Sequence, residues 1–333
     1  MKRVGLKDVA AQAGVSVATA SYVMAGRGRV SDDTRRAVLK AADELGFVRN
    51  AAAANLRSGQ SRLIGVILNN IANPFFSHLV SELESTAYRE GFLTLLATAQ
   101  NDLERQTQLL ESMVSQGVGA MILSPVHETR LDDLQVAFTR RIPVVSCVRD
   151  LPDCPVSFVG VDDEYSGYLA MQAVLGAGHQ NATFLGGYER TTTLEGRKIG
   201  VQRALAEAGL PPSACIFRPG PLSMAFGATQ IREICAKGAP KSAVICFNDY
   251  IATGVFEAAR DLGIEIGADM SVVSFDNTPI SSVLTPRLTT VDIFPAKIGA
   301  LAAERAAEMA RSGSTARMID RLEPRLIARS STI

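Results

Sequence analysis

The sequence predicts an α/β protein: a two-lobed body of doubly wound parallel sheets, carrying a small all-α helix-turn-helix headpiece at its N-terminus. Three observations predict it. Residues 6–45 read as three short amphipathic helices punctuated by Gly14 and Gly46. From Arg62 onward, apolar runs alternate with amphipathic helices, and the series occurs twice. Charge is also segregated: residues 1–62 carry 11 Lys and Arg against 5 Asp and Glu, leaving 23 against 29 in residues 63–333. The division that follows is a headpiece at 1–49, a connecting segment at 50–60 and a body at 61–333. Within the body, lobe 1 takes about 61–160 plus 291–320, and lobe 2 takes about 161–290 plus 321–333.

In the headpiece, Leu6, Val9, Ala10 and Ala13 recur at helical spacing, and Gly14 supplies the positive φ that stops the first helix. Ser16 is placed to cap a second helix through a backbone N–H one turn on. Ala20, Val23 and Met24 form its buried stripe, which leaves Val17, Ala18, Ser21 and Tyr22 on the other face. A third helix starts at Ser31 with the acid-rich turn Asp32–Asp33–Thr34 and buries Ala37, Val38, Ala41, Ala42 and Leu45. Two short helices crossing through a Gly turn fit an ordinary αα-hairpin and equally a helix-turn-helix, whose second helix enters a major groove. The basic balance favours the second: it offers phosphate contacts, while an acidic body is repelled by the same duplex.

Composition closes off other classes. The chain is 47% hydrophobic over 333 residues, ample for real cores. The most apolar stretch, 63–81, is interrupted by Asn69, Asn70, Asn73 and Pro74, so no bilayer span and no secretory signal is expected. Five cysteines (147, 154, 215, 235, 246) show no CxxC and read as reduced packing residues of a cytoplasmic protein. Three scattered histidines without HExxH propose no metal site, and no cofactor motif is present.

In the body, strands are expected at 63–68, 93–98, 120–123 and 143–147, with helices near 76–90, 103–116 and 131–140. A second series places strands at 158–161, 182–185, 215–218, 243–247 and 271–275, with helices near 165–176, 194–208, 225–237 and 250–262. A run at 288–293, a helix at 295–311 and a last strand near 325–328 suggest a return to the first lobe. Open α/β sheets bind ligands at their strands' carboxyl ends. There the sequence places Asn69, Asn70, Gln100, Asn101, Ser124, Asp162, Asp163, Asn248, Asp249, Asp276 and Asn277. Arg197 adds a forked cation, and Phe75 and Phe76 an aromatic wall. Asn and Asp at such positions also serve as helix caps, so each one taken alone reads either way. Together they suit a small polyhydroxylated or anionic solute.

The motifs LKDVAAQAGVSVATAS (6–21), VSDDTRRAVLKAADELGFVRN (30–50), ANPFFSHL (72–79), AGHQNATFLGG (177–187), FNDYIATG (247–254), MSVVSFDN (270–277) and LTPRLTTV (284–291) resemble the lactose-repressor/galactose-repressor family of bacterial transcription regulators. The resemblance runs through essentially the whole chain. It implies a body like the periplasmic sugar-binding proteins, serving effector binding and dimerisation, and a homodimer reading a near-palindromic double-stranded DNA operator. It implies that Val17, Ala18 and Tyr22 face bases, with Thr19 and Ser21 at phosphate-side or supporting positions. Many relatives carry Arg where this chain has Tyr22, so operator bases do not carry over. NAAAANLRS (50–58) matches the family's hinge helix, with Asn50 at its start and Leu56 as the minor-groove wedge. Read from its residues alone, the same stretch is also a flexible linker ending at Ser58–Gly59. In the cleft the resemblance implicates Arg197, Asn248 and Asp276, with Phe75 bordering the pocket. Asn69, Ser124 and Asp162 join them as strand-end candidates. Leu222 stands where some sugar binders place an aromatic.

The resulting expectation is a cytoplasmic, nucleoid-associated regulator, most simply a repressor. Its expected partners are operator DNA, a sugar-like or anionic metabolite and a second copy of itself, with no membrane, metal or cofactor. The alternative is a cytoplasmic sugar-binding or sugar-processing α/β protein without a regulatory role. No GxGxxG, Walker A or GxSxG motif supports catalysis, although Asp249, Asp276 and His179 are acid–base groups.

Overall fold

A computed structural model describes residues 4–24, 26, 28–47, 61–236 and 242–332, in two compact units divided between Gln60 and Ser61. Asn50, Leu56 and the rest of the expected hinge lie outside the described residues.

The first unit is three helices: α1 (Leu6–Gln12), α2 (Val17–Met24) and α3 (Asp32–Glu44). Gly14, at φ 65°, turns the chain out of α1. Ser16 Oγ accepts from the Thr19 N–H at 3.0 Å, opening α2, and Ser31 Oγ accepts from the Thr34 N–H at 3.3 Å, opening α3. The core is Val9, Ala10, Ala20, Val23, Val38, Ala41 and Ala42, small side chains that let three helices cross closely. Ala37, expected in the α3 stripe, is exposed, because Val38, Ala41 and Ala42 already fill the narrow face at i, i+3 and i+4 spacing.

The second unit holds two six-stranded sheets. The first contains β1 (Leu63–Leu68), β2 (Leu93–Thr98), β3 (Ala120–Leu123), β4 (Val144–Cys147), β5 (Ser157–Val161) and β11 (Ile319–Leu322), in the order β2-β1-β3-β4-β5-β11. The second contains β6 (Ala182–Leu185), β7 (Cys215–Arg218), β8 (Ser242–Cys246), β9 (Met270–Phe275), β10 (Thr289–Asp292) and β12 (Arg325–Ile327), in the order β7-β6-β8-β9-β10-β12. The same winding in both sheets makes the lobes structural repeats. Central strands such as LIGVIL of β1 are buried on both faces, as parallel strands covered by helices must be.

Three strands depart from the sequence expectation. Strand β5, expected at 158–161 to open the second series, pairs with β4 and β11 in the first sheet. Strand β11 was not expected: IDRL is half polar and only partly buried at a sheet edge, so it lacks an apolar run. Strand β12 runs antiparallel to β10, whereas parallel pairing was expected throughout. A chain leaving the carboxyl end of β11 and stepping straight across enters the second sheet from its carboxyl side, and so runs against β10. The lobe boundaries shift accordingly. Residues 291–292 stay with the second sheet inside β10, and 321–322 stay with the first inside β11.

Helix packing sets the site. The helices α4 (Pro74–Arg89), α5 (Leu103–Ser115) and α6 (Gln135–Thr139) serve the first sheet. The second has α7 (Asp163–Gly176), α8 (Thr192–Glu207), α9 (Met224–Ala236), α10 (Asp249–Asp261) and α11 (Pro279–Val283). Helix α12 (Pro295–Ser312) follows β10, packs against α4 and returns the chain to the first lobe. Helices α7 and α8 meet through glycine: a Cβ on Gly200 would lie 1.8 Å from the Glu164 carbonyl oxygen. That close approach brings Arg197 on α8 against Asp163 at the start of α7.

Candidate functional site

On the headpiece, Val17 (43% exposed), Ala18 and Tyr22 (56% exposed) form the outward face of α2, backed by buried Ala20 and Val23. Thr19 and Ser21 are half-buried beside them. Thr19 Oγ1 lies 2.9 Å from Ser16 Oγ, so this hydroxyl is engaged in the helix start. A capped helix showing two small apolar side chains and a tyrosine, with exposed Lys7 and Arg29 on the same unit, offers thymine-methyl contact, one hydroxyl and phosphate-neutralising charge.

In the body, the strand order reverses at β1/β3 in one sheet and at β6/β8 in the other, the crevices where such sheets receive ligands. At the first, Asn69 Nδ2 donates to Ser124 Oγ (3.1 Å) and to the Pro125 carbonyl (3.3 Å). The Asn69 Oδ1 is buried without a partner. At the second, Arg197 is 2% exposed and lies between two rings, 4.5 Å from the Phe247 centroid and 4.0 Å from that of Phe275. Its Nη1 donates to the Phe247 carbonyl (2.7 Å) and its Nε to Asp163 Oδ1 (3.1 Å). Asn248 caps α10 through Oδ1, accepting from the Ile251 N–H at 2.9 Å, which leaves its Nδ2 outside the cap. Asp276 is buried at φ 105°, and burial, with Asp249 nearby, pushes its carboxyl well above the usual range.

The lobes also touch each other. Asn101 Nδ2 donates to Tyr188 Oη at 3.1 Å, and the Asp150 N–H donates to Thr192 Oγ1 at 3.0 Å. Thr192 and Thr193 hydroxyls donate to the carbonyls of Asp150 and Val148, each at 3.3 Å. His127 stacks on Tyr188 at 5.1 Å.

The candidates thus sort by position. Asn69 meets Ser124, and Arg197 meets Asp163 and the Phe247–Asn248 strand end, with Asp276 in its field. Phe75 is buried edge-on against Phe76 at 5.1 Å, inside the core. Asp162 caps α7 through the Tyr165 N–H (2.8 Å) and lines a separate cavity of about 320 Å3 with Asp150, Phe158, Thr192 and Arg321. Of the acid–base groups, Asp249 is saturated by Ser274, Thr278 and Thr290. His179 binds Ser271 Oγ at 2.8 Å, five strand residues before Asp276 and hence roughly 17 Å away. Arg149, Tyr188 and His127 were not picked out as site residues, and Asp163 was named only among the strand-end groups. The ends of β4 and β6 would have yielded Arg149 and Tyr188 by the same strand-end rule.

The buried Asp163 carboxyl is pushed from 3.8 up to about 6 by desolvation, with Arg197 pulling the other way. A raised carboxyl stabilises the fold fully below the unfolded value and stops doing so as pH rises through the folded one. Unfolding free energy measured in urea should therefore fall between pH 4 and 6.5, by about 3 kcal/mol from this group. Asp163→Asn should flatten that part of the profile; an unchanged profile in the variant refutes the assignment.

Among the described residues no helix is long and apolar enough to cross a membrane, and no cluster of His, Cys, Asp or Glu is set to hold a metal. Residues 5–50 match the family model for bacterial regulatory proteins of the lacI family, and residues 171–332 match the periplasmic binding protein-like domain. The HTH-type transcriptional regulator DegA of Bacillus subtilis (strain 168) is 31% identical over 327 residues, covering 98% of this chain and 97% of that one. The Lac repressor dimer bound to operator and the anti-inducer ONPF is similar over 100% of both chains, with a TM-score of 0.86 and 26% identity. The complex of the transcriptional regulator CelR with cellobiose is similar over 99% of this chain and 100% of that one, with a TM-score of 0.72 and 25% identity.

Proposed function

The chain belongs to the lacI family of bacterial regulatory proteins, and on that premise we propose how its parts divide the work of a DNA-binding transcriptional regulator. It is a regulator and not an enzyme. The headpiece reads a palindromic operator as a homodimer, and a small polar metabolite held between the lobes alters that grip. The observation that carries this reading is the exposed Val17–Ala18–Tyr22 face on a capped second helix, in a chain matched to DegA from end to end. Operator DNA in the Lac repressor structure and cellobiose in the CelR structure support the two partners.

Val17, Ala18 and Tyr22 face bases, with Thr19 and Ser21 toward the phosphates. Residues 50–60 act as the hinge, Asn50 at its start and Leu56 as the wedge between base pairs, an act costing a few kcal/mol of unstacking. Asn69, Ser124, Asn248, Asp276 and Arg197 hold the effector, with Phe75 behind them and Asp162 at the lobe crossing. Effector binding changes the angle between lobes and so the spacing of the paired hinges. Such coupling is typically about 1–3 kcal/mol per site. Repression in the cytoplasm, on the nucleoid, is the outcome proposed. The second copy covers an apolar edge of the first sheet: Leu93, Leu95 and Leu96 of edge strand β2 are exposed, as is Tyr88, and an uncovered edge of this kind invites aggregation.

Selection from random duplexes with the full-length protein should return a palindrome. Tyr22→Arg should shift the preferred base at one symmetric position toward guanine, since Arg pairs with its O6 and N7. Identical sites from both proteins would remove Tyr22 from base reading. No preference over random duplex would sink the regulator reading itself.

A further inference from the structure

Arg149 sits at the end of β4, 7% exposed, facing the cleft between the lobes. Its Nη1 donates to Asn101 Oδ1 (3.2 Å) and to the Pro125 carbonyl (2.9 Å), and its guanidinium lies 5.5 Å from the Tyr188 ring centroid. None of these partners is charged. Among the described residues no carboxylate comes within ion-pair distance of it, although Arg197 has Asp163, and Arg317 and Arg321 share Asp150. Desolvation lowers its pKa to about 10, so it remains a cation at neutral pH. A buried, unbalanced charge is costly, and proteins keep one where a partner arrives.

The backbone is bent to place it there. Val148 has φ 70°, at the centre of a γ-turn closed by the Arg149 N–H donating to the Cys147 carbonyl at 2.8 Å. A β-branched residue in that region is strained, and such strain gathers at ligand sites. Two further buried groups stand unsatisfied on the same wall: Asn69 Oδ1, whose amide shares the Pro125 carbonyl with Arg149, and His127 Nδ1, whose ring stacks on Tyr188. One wall thus offers an unbalanced cation, an acceptor without a donor and an imidazole nitrogen without a partner.

We infer that this wall takes the charged end of the effector, and that the effector is a hydroxy acid with a single carboxylate, such as an aldonic or uronic acid. The carboxylate lies on Arg149, and a neighbouring hydroxyl donates to Asn69 Oδ1. This rests on the effector-cleft reading above and narrows it. One unbalanced guanidinium matches one negative charge. A neutral sugar would leave Arg149 unpaired, and a phosphate ester, carrying close to two charges, would exceed the one unbalanced guanidinium.

The test is calorimetry on the full-length protein with matched sets of hexoses and pentoses: neutral sugar, aldonate, uronate and sugar phosphate. At least one acid should bind at least about 30-fold more tightly than its parent sugar and its phosphate, and Arg149→Gln should weaken that acid by about 100-fold. Selectivity in the native protein decides the matter even if Arg149→Gln does not fold. Preference for a neutral sugar or a phosphate, no binding of any acid, or undiminished acid binding by folded Arg149→Gln each overturns the inference. A neutral sugar that shifts operator affinity would overturn it while leaving the regulator standing. Absence of any operator preference would strike the regulator reading alone.

Discussion

Replacing Arg197 with alanine is expected to destabilise the body by about 3–5 kcal/mol, because it strands a buried charge. The guanidinium fills the space between Phe247 and Phe275, satisfies the Phe247 carbonyl and faces Asp163, itself only 9% exposed. Truncation opens a cavity between two rings and leaves Asp163 in a desolvated place with only Arg321, already paired with Asp150, as a cation near it. The variant relieves this by holding a proton on Asp163, so its deficit should shrink below pH 5. Guanidinium unfolding at pH 7.5 and at pH 4.5 checks both parts. A loss under about 1 kcal/mol at pH 7.5 would mean that Arg197 is better solvated than its burial indicates. Arg197→Lys should fall between the two, since it keeps a charge but loses the planar fork that bridges carboxylate and carbonyl.

Val38→Ala is the second large effect, and it acts on the other unit. Val38 is fully buried at the meeting of three short helices, in a core built otherwise of Val9, Val23 and alanines. Removing two methyl groups costs about 1.5–3 kcal/mol, a large share of the stability of a domain this small. Calorimetry should show the headpiece transition lost at 37 °C and the body transition unmoved, since the units are separately compact. Operator binding should fall to weak, salt-sensitive association. A variant that binds operator normally would show that the headpiece has stability to spare.

Local rules were legible in the sequence wherever the physics is local. Ser16 and Ser31 announce their helices because a hydroxyl three residues before an N–H is a short-range arrangement, and both caps form. The strand-end rule brought Asn69 and Ser124 into shared surroundings, since chain direction in a parallel sheet carries every strand end to one side. Arg197, added from its helix, meets the strand end just before Asn248. What stayed hidden depends on contacts between distant segments. Arg149 is informative only because no carboxylate accompanies it, and the absence of a partner cannot be read one residue at a time. Asp162 and Asp163 are adjacent and chemically alike. The close approach of α7 and α8 at Gly167 and Gly200 gives Asp163 the arginine and leaves Asp162 with a helix end. Strand β11 escaped because an edge needs little apolar surface, so backbone pairing with β5 defines it.

The four neutral hydrogen bonds joining Asn101 to Tyr188, Asp150 and Thr192 to each other in both directions, and Thr193 to Val148 make a weak latch. At about 0.5–1.5 kcal/mol apiece they sum to roughly 2–6 kcal/mol. About 5.5 kcal/mol is what carries a two-state toggle from one side to the other. A clasp of that strength yields to a metabolite of ordinary affinity and re-forms when the metabolite leaves, as a reversible sensor requires.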